Sequence, residues 1–393
     1  MSINDNKQKE PVMPVRFIHF SDSHLGASDS LTDDYAVKEK REQDKYNALT
    51  TIVDKILEAK PDFVIHTGDF FHRSSPGNAP LVNAIQQIGR LNDAGIPFYM
   101  IAGNHDYPKV ASTVPIHKVF DHFENVKIYF NEAYSSIDLD SCTLHVLPHI
   151  NTGDKLNEEI GKIKITDKSK PNILMMHLSM PIRQEEEIEL GGGTFPAEKL
   201  DILKQFDYVA LGHWHKHNHM KEYGNVYYSG SPDKMDLGEI DHAKGYLSVE
   251  INGKGLNVEF KDLPTREMKK VTIGDCDKKN EEYILKEIKE ALAGFNIEGS
   301  IIYIYLNDLS KISYYDTRRD EIAKLTLGCL DLRITKKLRN SEEAGDNQKT
   351  RSQENLFEDL RKAFTDDKDY MRFYEMTDKL LAEIENERAQ NVD

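Results

Sequence analysis

Seven residues of a few chemical types stand just past, or at the end of, short apolar runs: Asp22, His24, Asp69, Asn104, His177, His213 and His215. They occur as Asp22-Ser23-His24, Gly68-Asp69, Gly103-Asn104-His105-Asp106, a lone His177, and Gly212-His213-Trp214-His215. Imidazole mixed with carboxylate and amide oxygen, and no cysteine, suits manganese, iron or zinc better than calcium or magnesium alone. Seven ligands exceed the four of a tetrahedral zinc site. They fit two adjacent metals that share one carboxylate, an arrangement that clamps both the attacking and the leaving oxygen of a phosphoryl centre. Taken singly, each motif reads as a turn rich in its favoured residues. Their conjunction, in this order and each at a strand end, points to a site.

The elements that must position them follow from periodicity. Residues 15–20, 62–67, 97–102, 172–177 and 208–213 are apolar, β-branched or aromatic runs of strand length. Helical patterns lie between them, such as 46–59 with Ala48, Leu49, Ile52, Val53, Ile56 and Leu57 on one face. Strand–helix alternation predicts an α/β fold, in which ligands bind beyond the carboxyl ends of the strands. After Phe260 such motifs stop. Residues 264–337 read as a small separate α/β unit: strands near 268–273, 300–306 and 331–336, with helices at 280–293 and 316–327. Residues 338–352 are polar, carry Gly345 and read as a linker. Two amphipathic helices are expected beyond, with Leu356, Leu360 and Phe364 on the first and Tyr370, Phe373, Leu380 and Ile384 on the second. The layout expected is a loose tail at 1–14, a main domain at 15–262, the small unit at 263–337, the linker at 338–352 and a helical tail at 353–388.

Composition bounds the class. The chain has 393 residues, 39% hydrophobic and 30% charged, which suits a folded globular protein with more than one domain. No apolar run reaches the roughly 20 residues of a membrane span. The net charge of -16 argues against coating nucleic acid through the overall field, so any such binding must be local to the site. Cys142, Cys276 and Cys329 are far apart in sequence and read as reduced core thiols. A cytoplasmic location is expected.

The motifs together resemble the calcineurin-like metallophosphoesterase superfamily, and within it the SbcD and meiotic recombination eleven nucleases. The narrowing residues are 21–26 (Ser-Asp-Ser-His-Leu-Gly), 68–72 (Gly-Asp-Phe-Phe-His), 206–215, and Ser229-Gly230-Ser231-Pro232 with Glu239 and Lys244-Gly245 behind it. The resemblance spans about residues 15–261. It implies a four-layer α/β/β/α metallophosphoesterase domain, a small α/β capping domain over DNA and a C-terminal helical tail. It implies two Mn²⁺ per subunit, one held by Asp22, His24, Asp69 and His215, the other by Asp69, Asn104, His177 and His213. His105 would stabilise charge or protonate the leaving oxygen, and His72 would position the scissile phosphate for exonucleolytic cutting. Asp106 would orient His105, or else serve as a turn carboxylate for backbone amides. The implied activity is manganese-dependent DNA cleavage in double-strand-break repair, 3′-to-5′ on duplex ends and internal on single strands. The implied partners are double- and single-stranded DNA, a coiled-coil ABC ATPase of the SbcC or Rad-fifty type bound by the tail, and a second copy of the chain. A nucleoid-associated location goes with this.

Two rivals remain. One is a phosphoesterase acting on small molecules or proteins, for which the architecture after Phe260 would be superfluous. The other is a scaffold that has lost catalysis, against which the complete ligand set argues. His19, His66, His145, His149, His217 and His219 read as core or loop residues, and 191–193 (Gly-Gly-Gly) as a flexible loop rather than a phosphate-binding one. Leu81, Ile85 and Ile88, with Ile116, Val119, Phe120 and Phe123, offer an apolar surface either for pairing or for covering the sheet.

Overall fold

The computed structural model describes residues 14–28, 32, 34–108, 114–181, 193–309 and 319–339. The expected helical tail, residues 340–352 of the expected linker and the first 13 residues lie outside these, as do Gly191 and Gly192; Leu338, expected in the linker, instead ends a strand.

The chain opens with β1 (Val15–Phe20), α1 (Tyr35–Ala59), β2 (Phe63–His66), α2 (Asn78–Asp93), β3 (Phe98–Ile101) and β4 (Val126–Tyr129). It continues through β5 (Ser135–Asp138), β6 (Thr143–Leu147), α3 (Gly153–Gly161), β7 (Asn172–His177), β8 (Tyr208–Gly212), β9 (Asn218–His219) and β10 (Val226–Tyr228). It returns along β11 (Gly245–Asn252) and β12 (Gly255–Asp262). Two six-stranded sheets result, ordered β12-β11-β1-β2-β3-β4 and β5-β6-β7-β8-β10-β9. The central strands of each are parallel, and the antiparallel β11 lies against β1.

Successive side chains on a strand face opposite ways, and β1 shows the consequence. Phe17 packs between the sheets with Phe63, Ile65, Leu144, Val146, Met175 and Tyr208. Ile18 and Phe20 face outward with Val64 and Met100 against Leu49, Ile52 and Ile56 of α1 and Ile88 and Leu91 of α2. On the far side Leu174, Met176, Val209 and Leu211 pack under Leu156 and Ile160 of α3 and Leu203. The order is helix, sheet, sheet, helix. Strands covered on both faces must be apolar throughout, which is why these runs stand out in the sequence.

Two expectations need correction. The first helix begins at Tyr35, not 46. Residues 35–45 are mostly charged and carry no apolar period, yet Arg41 and Lys45 are buried because they pair with Asp44 and Asp233. Asp34 caps the helix, its carboxylate accepting the Ala36 amide at 2.8 Å. The second correction concerns the pairing surface. Ile88 is fully buried in the core, and Leu81, Ile116, Val119 and Phe123 pack against that core. On α2 it is Val82 and Ile85, 54% and 36% exposed, that face outward. A helix covering a sheet spends its i, i+3, i+4, i+7 face on it, here Leu81, Ala84, Ile88 and Leu91.

The last unit has β13 (Met268–Ile273), α4 (Glu281–Ala291), β14 (Ile301–Leu309), α5 (Arg319–Leu325) and β15 (Asp331–Leu338) in a parallel three-stranded sheet ordered β13-β14-β15. Ile284 and Ile288 of α4 and Ile322 of α5 bury its core. Arg266 ties this unit to α1, its Nε and Nη2 donating to the two Asp44 oxygens at 2.7 and 2.6 Å.

Candidate metal centre

The carboxyl ends of β1, β2 and β3 in one sheet and of β7 and β8 in the other meet along one edge. The loops leaving them turn sharply, and the turns are made by the candidate ligands themselves. Asp22, His24, Asp69 and His213 have φ of 54°, 44°, 54° and 99°. Non-glycine residues rarely adopt this left-handed region, and each costs about 1–3 kcal/mol unless its surroundings enforce it. Here they do. The Asp22 amide donates to the Gly68 carbonyl and the His24 amide to the Asp69 carbonyl, both at 3.0 Å, lacing the first loop to the second. Gly103 allows the third loop to approach: a Cβ there would lie 2.1 Å from Asp69 Oδ1.

The seven candidates come together. His24 Nε2 and His215 Nε2 lie 3.0 Å apart, and His24 Nε2 is 3.8 Å from Asp69 Oδ2. On the other side of that carboxylate, His177 Nε2 is 3.3 Å from the same Oδ2. Asn104 Oδ1 lies 2.9 Å from His177 Nε2 and 3.2 Å from His213 Nδ1. Asp22, His24 and His215 present ligand atoms within 4.8 Å of one another, and so do Asp22, Asp69 and His177. Two donors each about 2.1 Å from a shared cation stand about 3.0–3.4 Å apart, so most of these separations match the edges of coordination shells. The donor set fits a divalent transition metal.

Outer contacts aim the rings. His177 Nδ1–H donates to the Thr67 carbonyl at 2.7 Å. A carbonyl can only accept, so Nδ1 keeps its proton and Nε2 is the ring atom that faces Asn104 and Asp69. His215 Nδ1 is 2.7 Å from Glu239 Oε1, which turns its Nε2 toward His24. Ser21 Oγ donates to Asp22 Oδ2 at 2.5 Å, and the His213 amide donates to both Asp22 oxygens.

Charge follows geometry. Burial pushes the Asp22 carboxyl up to about 6, against the pull of His177 and His215 and with help from Asp69. Burial also opposes ionisation of Asp69, but His177 and His24 hold it well below the usual range. His24 is driven well down by burial and by the neighbouring imidazoles, despite Asp69. Burial opposes protonation of His177, but Asp69 and Asp22 outweigh it and push the ring up to about 10, so a metal cation held here would take the place of that proton.

His105 and His72 stand at the rim. Their rings stack with centroids 5.0 Å apart, His105 Nδ1 donates to the His72 carbonyl at 3.1 Å, and the His105 amide donates to Asp69 Oδ1 at 2.8 Å. His72 Nδ1 is 3.3 Å from His24 Nδ1. Burial and His105 press His72 down to about 4.

Asp106 does not orient the His105 ring, which is held by the His72 carbonyl instead. The Asp106 Oδ2 accepts the Phe70 and Phe71 amides at 2.8 and 3.3 Å, Oδ1 accepts the Gly103 amide at 2.8 Å, and His117 Nε2 lies 3.3 Å away. This fully buried carboxylate welds the second loop to the third. His217 and His219 do not extend the site: they bond the carbonyls of Tyr228 and Gly224 and stack on Phe260 and Tyr227. His149 is closer than expected, buried and near enough that His177 and Asp69 act on its charge. Glu239 and Lys244 stood in the sequence only as part of a recognisable stretch. Nothing local in it announces that Glu239 would reach His215, 24 residues away.

The fold and this edge define a phosphoesterase. The chain belongs to the calcineurin-like phosphoesterase family, whose model matches residues 15–217. It is similar to proteins named DNA double-strand break repair protein Mre11. That of Sulfurisphaera tokodaii is 27% identical, covering 75% of this chain and 74% of its own length. That of Methanococcus maripaludis is 28% identical over 83% and 86%, and that of Methanocaldococcus jannaschii 30% over 68% and 72%. Among solved structures, a dimetal phosphatase from Danio rerio aligns at a TM-score of 0.40 and 9% identity, covering 64% of this chain and 97% of that one, too distant to argue from. Among the described residues, no helix is long and apolar enough to cross a membrane.

Proposed function

We propose that this chain is a manganese-dependent DNA nuclease of double-strand-break repair, acting 3′ to 5′ on duplex ends and internally on single strands. The observation that carries the reading is the Asp69 carboxylate. Its Oδ1 is held by the His105 amide, and its Oδ2 faces His24 on one side and His177 on the other. One oxygen therefore serves both halves of the site. Asp22, His24, Asp69 and His215 would hold one Mn²⁺, and Asp69, Asn104, His177 and His213 the other. Bound, the pair supplies Lewis acidity at a phosphoryl oxygen and a more acidic water.

The chain's own groups do the rest. His105 donates its Nδ1–H as a hydrogen bond to the His72 carbonyl, so Nε2 is the atom left to face the leaving oxygen, and the doubly protonated ring passes its Nε2 proton there. His72, stacked on His105 at the rim, steers the phosphate of a duplex end. The small α/β unit caps the DNA. The similarity to proteins named for double-strand break repair supports a DNA substrate. We extend the reading to a coiled-coil ABC ATPase partner and to a homodimer formed through the exposed side of α2, where Val82 and Ile85 lie.

The test is a labelled duplex incubated with Mn²⁺ or EDTA beside a chromogenic phosphodiester. Cleavage of the duplex with Mn²⁺ and none with EDTA is expected. Turnover of the chromogenic ester with an intact duplex would instead favour a small-molecule substrate. His72→Ser should impair the duplex-end reaction far more than single-strand cutting. Ile85→Asp should give a folded monomer by light scattering.

A further inference from the structure

A short turn, Leu237–Glu239, lies between the candidate metal centre and the three-stranded unit and touches both. On its inner side Glu239 Oε1 meets His215 Nδ1 at 2.7 Å. Glu239 Oε2 accepts the Met235 amide at 2.8 Å and faces Lys244 Nζ at 2.6 Å. The buried Lys244 ammonium also donates to the His215 carbonyl and to Ser231 Oγ, each at 2.8 Å. Backbone and ring of His215 are thus held by one ion pair. On the outer side, Leu237 and Ile240 pack against Met268, Ile301 and Tyr303 of the three-stranded unit. The segment before the turn is gripped from a third side: Lys45 and Arg41 of α1 donate to the Lys234 carbonyl, and Arg41 shares Asp44 with Arg266.

We propose that Glu239 is a positioning residue that fixes the ring of His215 with its Nε2 lone pair toward the metal centre, and that the three-stranded unit keeps Glu239 in register through Leu237 and Ile240. The inference rests on reading His215 as a metal ligand. A carboxylate on Nδ1 fixes the tautomer that leaves Nε2 unprotonated, and it raises the ring's basicity as a ligand. Lys244 holds that carboxylate at the distance where it meets the ring. Leu237 and Ile240 connect its orientation to the seating of a unit that supplies no histidine of its own. The seating of the unit therefore sets the affinity of one half of the site.

The experiment has two readouts, neither of them turnover. Long-range proton–nitrogen spectra of histidine-labelled, metal-free protein report the His215 tautomer. Calorimetric titration with Mn²⁺ reports two affinities. In Glu239→Ala the His215 signal should lose its Nδ1-protonated signature, and one Mn²⁺ affinity should fall by about 10–100-fold while the other holds. Glu239→Gln keeps an acceptor at Nδ1 and should retain the tautomer with a smaller loss. Leu237→Ser with Ile240→Ser should weaken the same single affinity without changing the other. Wild-type tautomer and affinities in Glu239→Ala would overturn the proposal. Equal losses in the Ala and Gln variants, tracking a fall in the metal-free melting temperature, would reduce Glu239 to a structural role and overturn it as well. His215→Ala separates the two layers. Loss of one Mn²⁺ site there, with none in Glu239→Ala, overturns the positioning alone, whereas two wild-type affinities in His215→Ala overturn the ligand reading beneath it.

Discussion

The two parts of this molecule are built alike. The body and the unit formed by residues 268–338 both use parallel strands covered by helices. Both also bend non-glycine residues into the left-handed region where strands end or break register. In the small unit these are Asp275, past β13, and Asp308, at an irregularity inside β14, and the bends serve each other, the Asp275 amide donating to Asp308 Oδ2 at 3.2 Å. In the body the residues bent this way past strand ends are Asp22, His24, Asp69 and His213, and they face one point. All 15 histidines of the chain lie between His19 and His242, none in the small unit. Strand ends alone therefore do not make a site. What differs is a second sheet whose strand ends face the first, and loops laced tightly enough to hold strained donor residues.

The largest effect that would break this contrast is at the shared carboxylate. Asp69→Ala should abolish both Mn²⁺ binding and cleavage, because two cations lose the anion between them. Atomic absorption after dialysis and the duplex assay check it, and near-normal metal content with activity would remove Asp69 from the centre. Next comes His105→Ala, which should lower turnover by ~10²–10⁴ with Mn²⁺ stoichiometry intact. Parallel loss of metal would make it a ligand.

Asp106→Asn sharpens the view that lacing, not chemistry, is this residue's part. An amide nitrogen would face backbone N–H groups, costing about 1–3 kcal/mol. The melting temperature should fall while the pH profile of turnover keeps its shape, and a displaced profile with unchanged stability would return Asp106 to the catalytic group.

The smallest effect lies behind the centre, on the segment that follows β10. Burial opposes ionisation of Asp233, but Lys45 and Arg41 outweigh it and hold the carboxyl below its usual range. A depressed folded value means the stabilisation is complete above the unfolded value of about 3.9 and is lost as pH falls through the folded one. The gap in unfolding midpoint between wild type and Asp233→Asn should be constant from about pH 7 to 5 and narrow below about pH 4. A gap independent of pH would mean the ion pair contributes nothing.

Much of this was legible in the order of residues. The five apolar runs, their spacing and the polar residues after them establish an α/β fold and a family, because burial on both faces and a loop at each strand end leave direct marks in sequence. Other features left no such mark. Residues 35–45 look too charged for a packed helix, yet Arg41 and Lys45 are buried against Asp44 and Asp233, the latter 188 residues on from Lys45. Ile88 reads equally as surface or core until the sheet beneath it is seen. Asp106 reads equally as an orienting group or a turn carboxylate until three amides are found pointing at it. Periodicity reports what a residue's neighbours along the chain are, and so it determined the strands and the donors they carry. Which donors face one another, and that Glu239 aims His215, was decided only by tertiary structure, because those contacts join loops from two separate sheets whose separation in sequence carries no information about their distance in space.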